Sequence, residues 1–276
     1  MKIDIIKIRM NFLSFPLLRE KHQSKMHRNL QLRLGPEEFD KHGVVHLQNQ
    51  SIKTDTQNIV ILLTSTVNIN TQLMHLYQRN ADARLAAYMK AIRRWLQETN
   101  FKIVLVENSG YSFPELAEFL DTYLDRLELI TFCEYDEVEA EYLKRERDKG
   151  ACELFAINYA AQHSRLIAES SFVIKVTARF FVPNLNEYLS RIPVQEYVAL
   201  SQNDGHRCEM VGARKDHFSK IFNKSTINRR GKKENHVENI YWERVQSLPA
   251  NSVLRCKEFA IEPTSRGGIN EVYTTI

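Results

Sequence analysis

The sequence predicts an α/β protein whose core is a parallel sheet with helices on its faces. Three observations carry that reading. The run "NIVILLTSTVN" is continuously apolar from Ile59 to Leu63 and then turns polar, as a strand buried on both faces does. The segment "DARLAAYMKAIRRWLQETN" changes period: Leu85, Tyr88, Ile92 and Trp95 or Leu96 recur at helical spacing. Two further apolar runs, "IVLVENSGY" and "LELITFCEY", follow with a helix between them. Strand, helix, strand, helix, strand in that order calls for crossover connections and hence parallel pairing.

Taken along the chain, residues 1 to about 55 are polar and irregular after a first apolar patch and read as an extension. Asn58 precedes the first strand. Asp82 is placed to cap the following helix and Asn100 to end it. The second strand turns at Glu107-Asn108-Ser109-Gly110, good turn chemistry. The next helix begins near Phe113-Pro114-Glu115, with proline in a first turn. "EVEAEYLKRERDKGACELFAINYAAQHSRLI" is mainly helical, interrupted at Gly150. Phe172 to Val182 then reads as one more buried strand. "EYVALSQND" is a strand and turn, "CEMVGARKDHFSKIF" a strand or loop entering a helix, and "ENHVENIYWERVQSL" a helix. "SVLRCKEFAIEP" is a last strand candidate and "TSRGGINEVYTTI" a loop-rich tail.

Composition bounds what this fold serves. The 276 residues are 43% hydrophobic and 26% charged, enough for a full core without disulfides. A net charge of +4 permits an anionic ligand without calling for nucleic acid. The basic run "NRRGKK" (Asn228 to Lys233) lacks the interleaved aromatics on which bases stack. It reads as a solvated loop, at most drawn to an acidic acceptor or a membrane surface. Four scattered cysteines, none in a C-x-x-C pair, suggest reduced thiols in a cytosol. No apolar run is long enough to span a bilayer. "MKIDIIKIRMNFLSFPLL" is broken by charges and makes a poor signal peptide. A cytoplasmic protein is expected, with the inner face of a membrane as an alternative.

In open α/β sheets, ligands bind beyond the carboxyl ends of the strands. The residues there are Thr64, Ser65, Thr66 and Asn68 after the first strand, with Arg84 at the start of the next helix. After the second come Glu107 and Asn108. The strand from Phe172 contributes Lys175, Thr177 and Arg179, two apart and therefore on one face. Unpaired charges in a strand are costly, so Lys175 and Arg179 either meet Glu107, Glu153 or another carboxylate, or hold an anion. The chain has no G-x-G-x-x-G, no G-x-x-x-x-G-K-[ST] and no G-x-S-x-G. This excludes the dinucleotide fingerprint, the P-loop and the hydrolase elbow. No histidines stand at H-E-x-x-H spacing.

Taken together, "IVILLTSTVN", Arg84-x-x-x-Tyr88-x-x-Ala91-Ile92-x-x-Trp95, "IVLVENSGY", "KGACE" and "IKVTARFF" resemble a group of bacterial and large-virus glycosyltransferases with a GT-A-like fold. These enzymes use nucleotide sugars in surface-glycan and polysaccharide synthesis. Their later motifs read K-G-x-G-E and K-[IL]-T-G-R-[YF]. Lys149, Gly150 and Glu153 match the first and Lys175, Thr177 and Arg179 the second, while Cys152 and Ala178 replace glycines. The likeness runs from about Asn58 to Val182, with a weaker echo in "CEMVGA", "HVENIYW" and "IEPTSRGG". It implies a GT-A-like domain over 56–276, with a nucleotide-sugar half at 56–182 and an acceptor half at 183–276, after an extension at 1–55. It also implies a nucleotide sugar as co-substrate and a glycan or glycolipid as acceptor.

GT-A-like enzymes commonly hold a divalent metal on an Asp-x-Asp, and this chain has none. The expectation is therefore a metal-independent transferase without cofactor, in which Lys175 and Arg179 take the metal's place on the diphosphate. Thr64, Ser65, Asn68, Arg84, Glu107, Asn108, Lys149, Glu153 and Thr177 complete the donor set. Asp204, Glu209 and Glu238 are candidates for the base that deprotonates the acceptor, with His206 beside Asp204. Arg266 in "TSRGG" is placed to close a loop on phosphate. The rival readings are a nucleotidyl- or phosphotransferase of α/β fold and a decayed, non-catalytic nucleotide-sugar-binding protein, the latter because of the two replaced glycines.

Overall fold

The computed structural model describes residues 56–276, apart from 70–76, 145–147 and 203–206. The described residues fall in one compact unit. The expected extension, Asp204 and His206 lie outside the described residues.

The architecture is the expected α/β one, a mostly parallel sheet flanked by helices. Its strands are β1 (Ile59–Ser65), β2 (Lys102–Glu107), β3 (Leu127–Thr131), β4 (Phe172–Thr177), β5 (Ala199–Ser201), β6 (Met210–Arg214) and β7 (Val253–Arg255). They lie in the order β3-β2-β1-β4-β6-β5-β7. β1, β2, β3 and β4 run parallel, and β5 pairs parallel with β7. β6 is antiparallel to both its neighbours. The sheet thus passes without a break from β4 into the second half of the chain.

Period-2 alternation explains the two cores. Ile59, Ile61 and Leu63 of β1 face one layer, whose main helix is α1 (Ala81–Glu98). Val60 and Leu62 face the other, packed on α3 (Lys149–His163) and α7 (Val237–Gln246). All seven residues of β1 are buried. That is why its sequence is apolar without alternation. Short helices α2 (Ala117–Thr122), α4 (Arg165–Glu169), α5 (Leu185–Ser190) and α6 (Phe218–Phe222) complete the layers.

Several boundaries differ from the sequence reading, each for a local reason. The cap of α1 is Asn80, whose side-chain oxygen accepts from the Ala83 amide, and Asp82 sits within the first turn. α1 ends at Glu98, ahead of Asn100. Gly150 does not interrupt a helix. It is the second residue of α3, capped by Asp148, and a Cβ there would come within 2.7 Å of the Val237 Cβ. The glycine is thus needed where α3 and α7 meet.

The strand read as Phe172 to Val182 ends at Thr177, and Ala178 and Arg179 form a turn. Lys175 and Thr177 share a strand face, but Arg179 is aimed by the turn. The tail is more than loop: β8 (Ala260–Ser265) pairs antiparallel with β9 (Val272–Thr275).

Candidate functional site

The strand order reverses at β1, with β2 on one side and β4 on the other. Beyond the carboxyl ends of β1 and β4 this leaves the crevice where open α/β sheets take ligands. A cleft occupies it, lined among others by Thr64, Ser65, Thr66, Arg84, Tyr88, Asn108, Thr177 and Arg179. Lys149 and Glu153 reach it from α3, Glu209 from the start of β6, Glu238 from α7, and Arg266 to Gly268 from the β8–β9 connection.

Two arginines dominate one wall. Arg84 is 4% exposed and Arg179 7%. Arg84 Nε donates to the Thr66 carbonyl at 2.7 Å, Nη1 to the Gln78 carbonyl at 3.2 Å and Nη2 to the Tyr88 hydroxyl at 2.7 Å. Arg179 Nη1 donates to Gln78 Oε1 at 2.9 Å and Nη2 to the same Tyr88 hydroxyl at 3.5 Å. Arg179 Nε is buried without a hydrogen-bond partner. Both guanidinium carbons stand 5.6 Å from the centre of the Tyr88 ring. Among the described residues, neither arginine has a carboxylate within ion-pair distance. Burial pushes the Arg84 pKa down, and the positive charge of Arg179 adds to that. Two buried permanent cations held only by neutral acceptors are an expensive arrangement unless an anion joins them. Thr64 Oγ1, also without a partner, lines the same cleft.

Lys175 behaves differently from expectation. It is wholly buried, does not line the cleft and is neutralised: Nζ lies 2.5 Å from Glu153 Oε1 and donates to the Cys208 carbonyl at 2.9 Å. Burial alone would lower its pKa, but Glu153, Cys208 and Glu209 together outweigh that and the net shift is upward. The carboxylate alternative holds for Lys175 and not for Arg179. Turn geometry separates them, because β4 points Lys175 under α3 while the turn after Thr177 sends Arg179 across to α1.

Glu107 also departs from the donor-binding expectation. It is wholly buried, and its carboxylate accepts from the amides of Val67, Ser109 and Tyr111, each at 2.8–2.9 Å, and from the Ser109 hydroxyl. It ties the loop after β1 to the loop after β2 and has no free face for a base or ribose. Asn68 sits outside the main cleft, in a shallower depression with Asn108, Ser109 and Glu134. Ser65 Oγ donates to the Val106 carbonyl at 3.0 Å. Thr177 Oγ1 lies 3.4 Å from Lys175 Nζ.

Arg266 bridges two of the base candidates. Its Nη2 is 3.0 Å from Glu238 Oε1 and its Nε 3.5 Å from Glu209 Oε1. Glu209 also faces Arg207 Nε at 3.6 Å. The loop carrying Arg266 is tied down: the Tyr77 amide donates to the Gly267 carbonyl at 2.9 Å. A Cβ on Gly267 would come 2.7 Å from Arg179 Nη2, so the loop backbone lies directly on that guanidinium.

The replaced glycines fit without distortion. The Ala178 backbone is not left-handed and its amide donates to the Thr64 carbonyl at 3.0 Å. Cys152 is buried, and burial with the Glu134 charge pushes its thiol pKa up. Glu134 escaped the sequence reading although it follows the third strand, where the rule applied to the other strands would have found it. It accepts from Asn108 Nδ2 at 2.6 Å, and burial raises its pKa. The helical spacing of Tyr88 with Leu85 and Ile92 predicts core packing. Its ring does lie in the core, but its hydroxyl joins the two arginines, and the i, i+4 spacing of Arg84 and Tyr88 was the available signal.

The carboxylates Glu153, Glu209 and Glu238 each pair with a cation, and no cluster of three His, Cys, Asp or Glu side chains suited to a metal occurs among the described residues. These residues do not fit a divalent-cation site. Nor is any helix of the described residues long and apolar enough to cross a membrane.

No protein-family profile matches the chain, and no curated protein matches it. Among solved structures, it overlaps a candidate nucleotide-diphospho-sugar transferase from Desulfovibrio desulfuricans G20 at 16% identity and TM-score 0.39, over 72% of this chain and 80% of that one. It overlaps the glycosyltransferase GlyE of Streptococcus pneumoniae TIGR4 at 10% identity and TM-score 0.39, over 72% of this chain and 45% of that one. It overlaps the bifunctional glycosyltransferase WbbM at 10% identity and TM-score 0.40, over 72% and 38%. The chain thus spans less than half the length of the latter two. At this level of overlap, function is read from the chain's own residues.

Proposed function

We propose that the chain is a glycosyltransferase that takes a sugar from a nucleotide-sugar donor to a glycan or glycolipid acceptor without a bound metal. The observation that carries this reading is the buried pair Arg84 and Arg179 at the switch point of the sheet, with no carboxylate at ion-pair distance among the described residues. The negative charge that grows on a departing diphosphate would meet two fixed guanidinium groups there, pre-organised by Tyr88 and Gln78. Charge stabilisation of this kind is worth most in a site shielded from water, and guanidinium forks match phosphate oxygens. Thr64 Oγ1 and Lys149 supply further donors from the cleft wall. Lys175 and Glu153 brace α3 against β4 in support of the wall.

Of the base candidates, Glu238 is the best placed. Its side chain is 18% exposed, whereas that of Glu209 is 6% exposed and set between two arginines. In a direct displacement, the acceptor oxygen bonds to the sugar C1 as its proton passes to the Glu238 carboxylate. The bond from C1 to the diphosphate oxygen breaks, and its electron pair leaves with the nucleoside diphosphate. We place the reaction in the cytoplasm or at the inner face of a membrane, in keeping with four cysteines that are free thiols.

The test is a thermal-shift panel of nucleotide sugars in excess EDTA on wild type and Arg179→Ala. A ligand that binds only the folded state raises its melting temperature. One nucleotide series should stabilise wild type and not the variant. No shift from any nucleotide sugar, with or without Mg²⁺ or Mn²⁺, overturns the reading, and a strict need for metal overturns its metal-free form.

A further inference from the structure

A second cavity adjoins the donor cleft. Its accessible volume is about 370 Å³, against about 130 Å³ for the cleft itself. The two share a wall made by Lys149, Gly150, Val237, Glu238, Arg266 and Gly268. From the geometry we infer that the second cavity is the acceptor subsite and takes a saccharide. This deepens the transferase reading and rests on it.

Three features support the assignment. The first is the position of Glu238, which lines both cavities and is held by Arg266 Nη2 at 3.0 Å. A base must touch the acceptor hydroxyl on one side while the donor carbon lies on the other, and the partition is where both conditions meet. The second is chemical. The walls peculiar to the second cavity carry Asn235, His236 and Asn239, polar groups suited to sugar hydroxyls. Ile269, 40% exposed, offers an apolar surface for a ring face. Saccharide sites combine these two kinds of surface, because a sugar ring has hydroxyls at its rim and C–H groups on its faces.

The third is the partition itself. Gly150 lets α3 approach α7 so closely that any Cβ would strike Val237, and both residues line both cavities. The wall is therefore built from both halves of the chain, not from the second half alone. Arg266 and Gly268 close both cavities from one loop. Acceptor and donor then press on the same strap.

The experiment fills the second cavity and leaves the first. Asn239 lines the second cavity and not the donor cleft. Wild type, Asn239→Trp and Asn239→Ala are compared for melting temperature alone, for its shift by the nucleotide sugar that stabilises wild type, and for sugar transfer to a panel of p-nitrophenyl glycosides. The expected result is an unchanged donor shift in all three, with transfer at least tenfold lower in Asn239→Trp and weakened less in Asn239→Ala. Loss of the donor shift in a folded Asn239→Trp would assign the cavity to the donor and overturn the inference. So would wild-type transfer by that variant, or a wild-type enzyme that consumes its donor yet passes it to no glycoside. If no nucleotide sugar shifts wild type, the transferase reading fails first, by a separate readout, and the acceptor assignment falls with it.

Discussion

Lys175 and Arg179 stand four residues apart, and the molecule treats them in opposite ways. Lys175 is sealed under α3 with Glu153 at 2.5 Å, and its charge is spent inside the protein. Arg179 shares the Tyr88 hydroxyl with Arg84, with Gln78 as its other acceptor, and among the described residues no carboxylate meets its charge. The first arrangement serves folding, and the second is the one on which the proposed donor site rests. A buried cation is informative about function only after its counter-charge has been sought.

Breaking Lys175 should have the largest effect on stability. Lys175→Ala leaves the Glu153 carboxylate partly buried and unpaired, and we expect a loss of about 3 kcal/mol by denaturant unfolding, as for other broken buried pairs. Lys175→Met with Glu153→Leu should recover most of it. If Lys175→Ala is as stable as wild type, the two cations do not differ in the way described. Arg179→Ala should show the reverse profile. Its stability should stay within about 1 kcal/mol of wild type, while affinity for the stabilising nucleotide falls about tenfold to a hundredfold, the scale of charged hydrogen bonds.

A finer perturbation leaves both cations in place. Gly267→Ala puts a methyl group on the Arg179 guanidinium and should displace it. Nucleotide affinity should drop several-fold in a titration, with little change in unfolding. Equal affinity would detach the tail loop from the arginine wall.

The smallest effect concerns pH. Burial raises the Glu134 pKa above its ordinary 4.5, so the folded state binds this proton more tightly than the unfolded one. The resulting stability is present below the ordinary carboxylate pKa and is lost as pH rises through the folded value. Glu134→Gln should therefore flatten the decline in melting temperature as pH rises above the ordinary carboxylate value. An unchanged slope would assign the decline to other groups.

Much of this was legible in the residues. Unbroken apolarity from Ile59 to Leu63 signalled a strand covered on both faces, and the change of period after Asp82 signalled the helix that covers one of them. Alternation of strand and helix predicted parallel pairing, and the rule about carboxyl ends picked out Thr64, Arg84 and Asn108 for the cleft. Glu107 was misjudged because a turn glutamate looks the same in sequence whether it faces a ligand or gathers the amides of its own loop. The row of Lys175, Thr177 and Arg179 failed because a strand's end depends on where its neighbours stop pairing. The pairing of β1 with β4 stops at Thr64 opposite Thr177, one residue before β1 itself ends at Ser65.

The sequence by itself determined the class of fold, the side of the sheet where a ligand would lie and the supply of cations there, because periodicity and strand order are local properties of the chain. Only the tertiary structure decided which cation meets a carboxylate among the described residues. The partners of Lys175 and Arg179 come from positions 22 and 91 residues away, and a charge is neutralised by what lies within a few ångströms in space, whatever the distance along the chain.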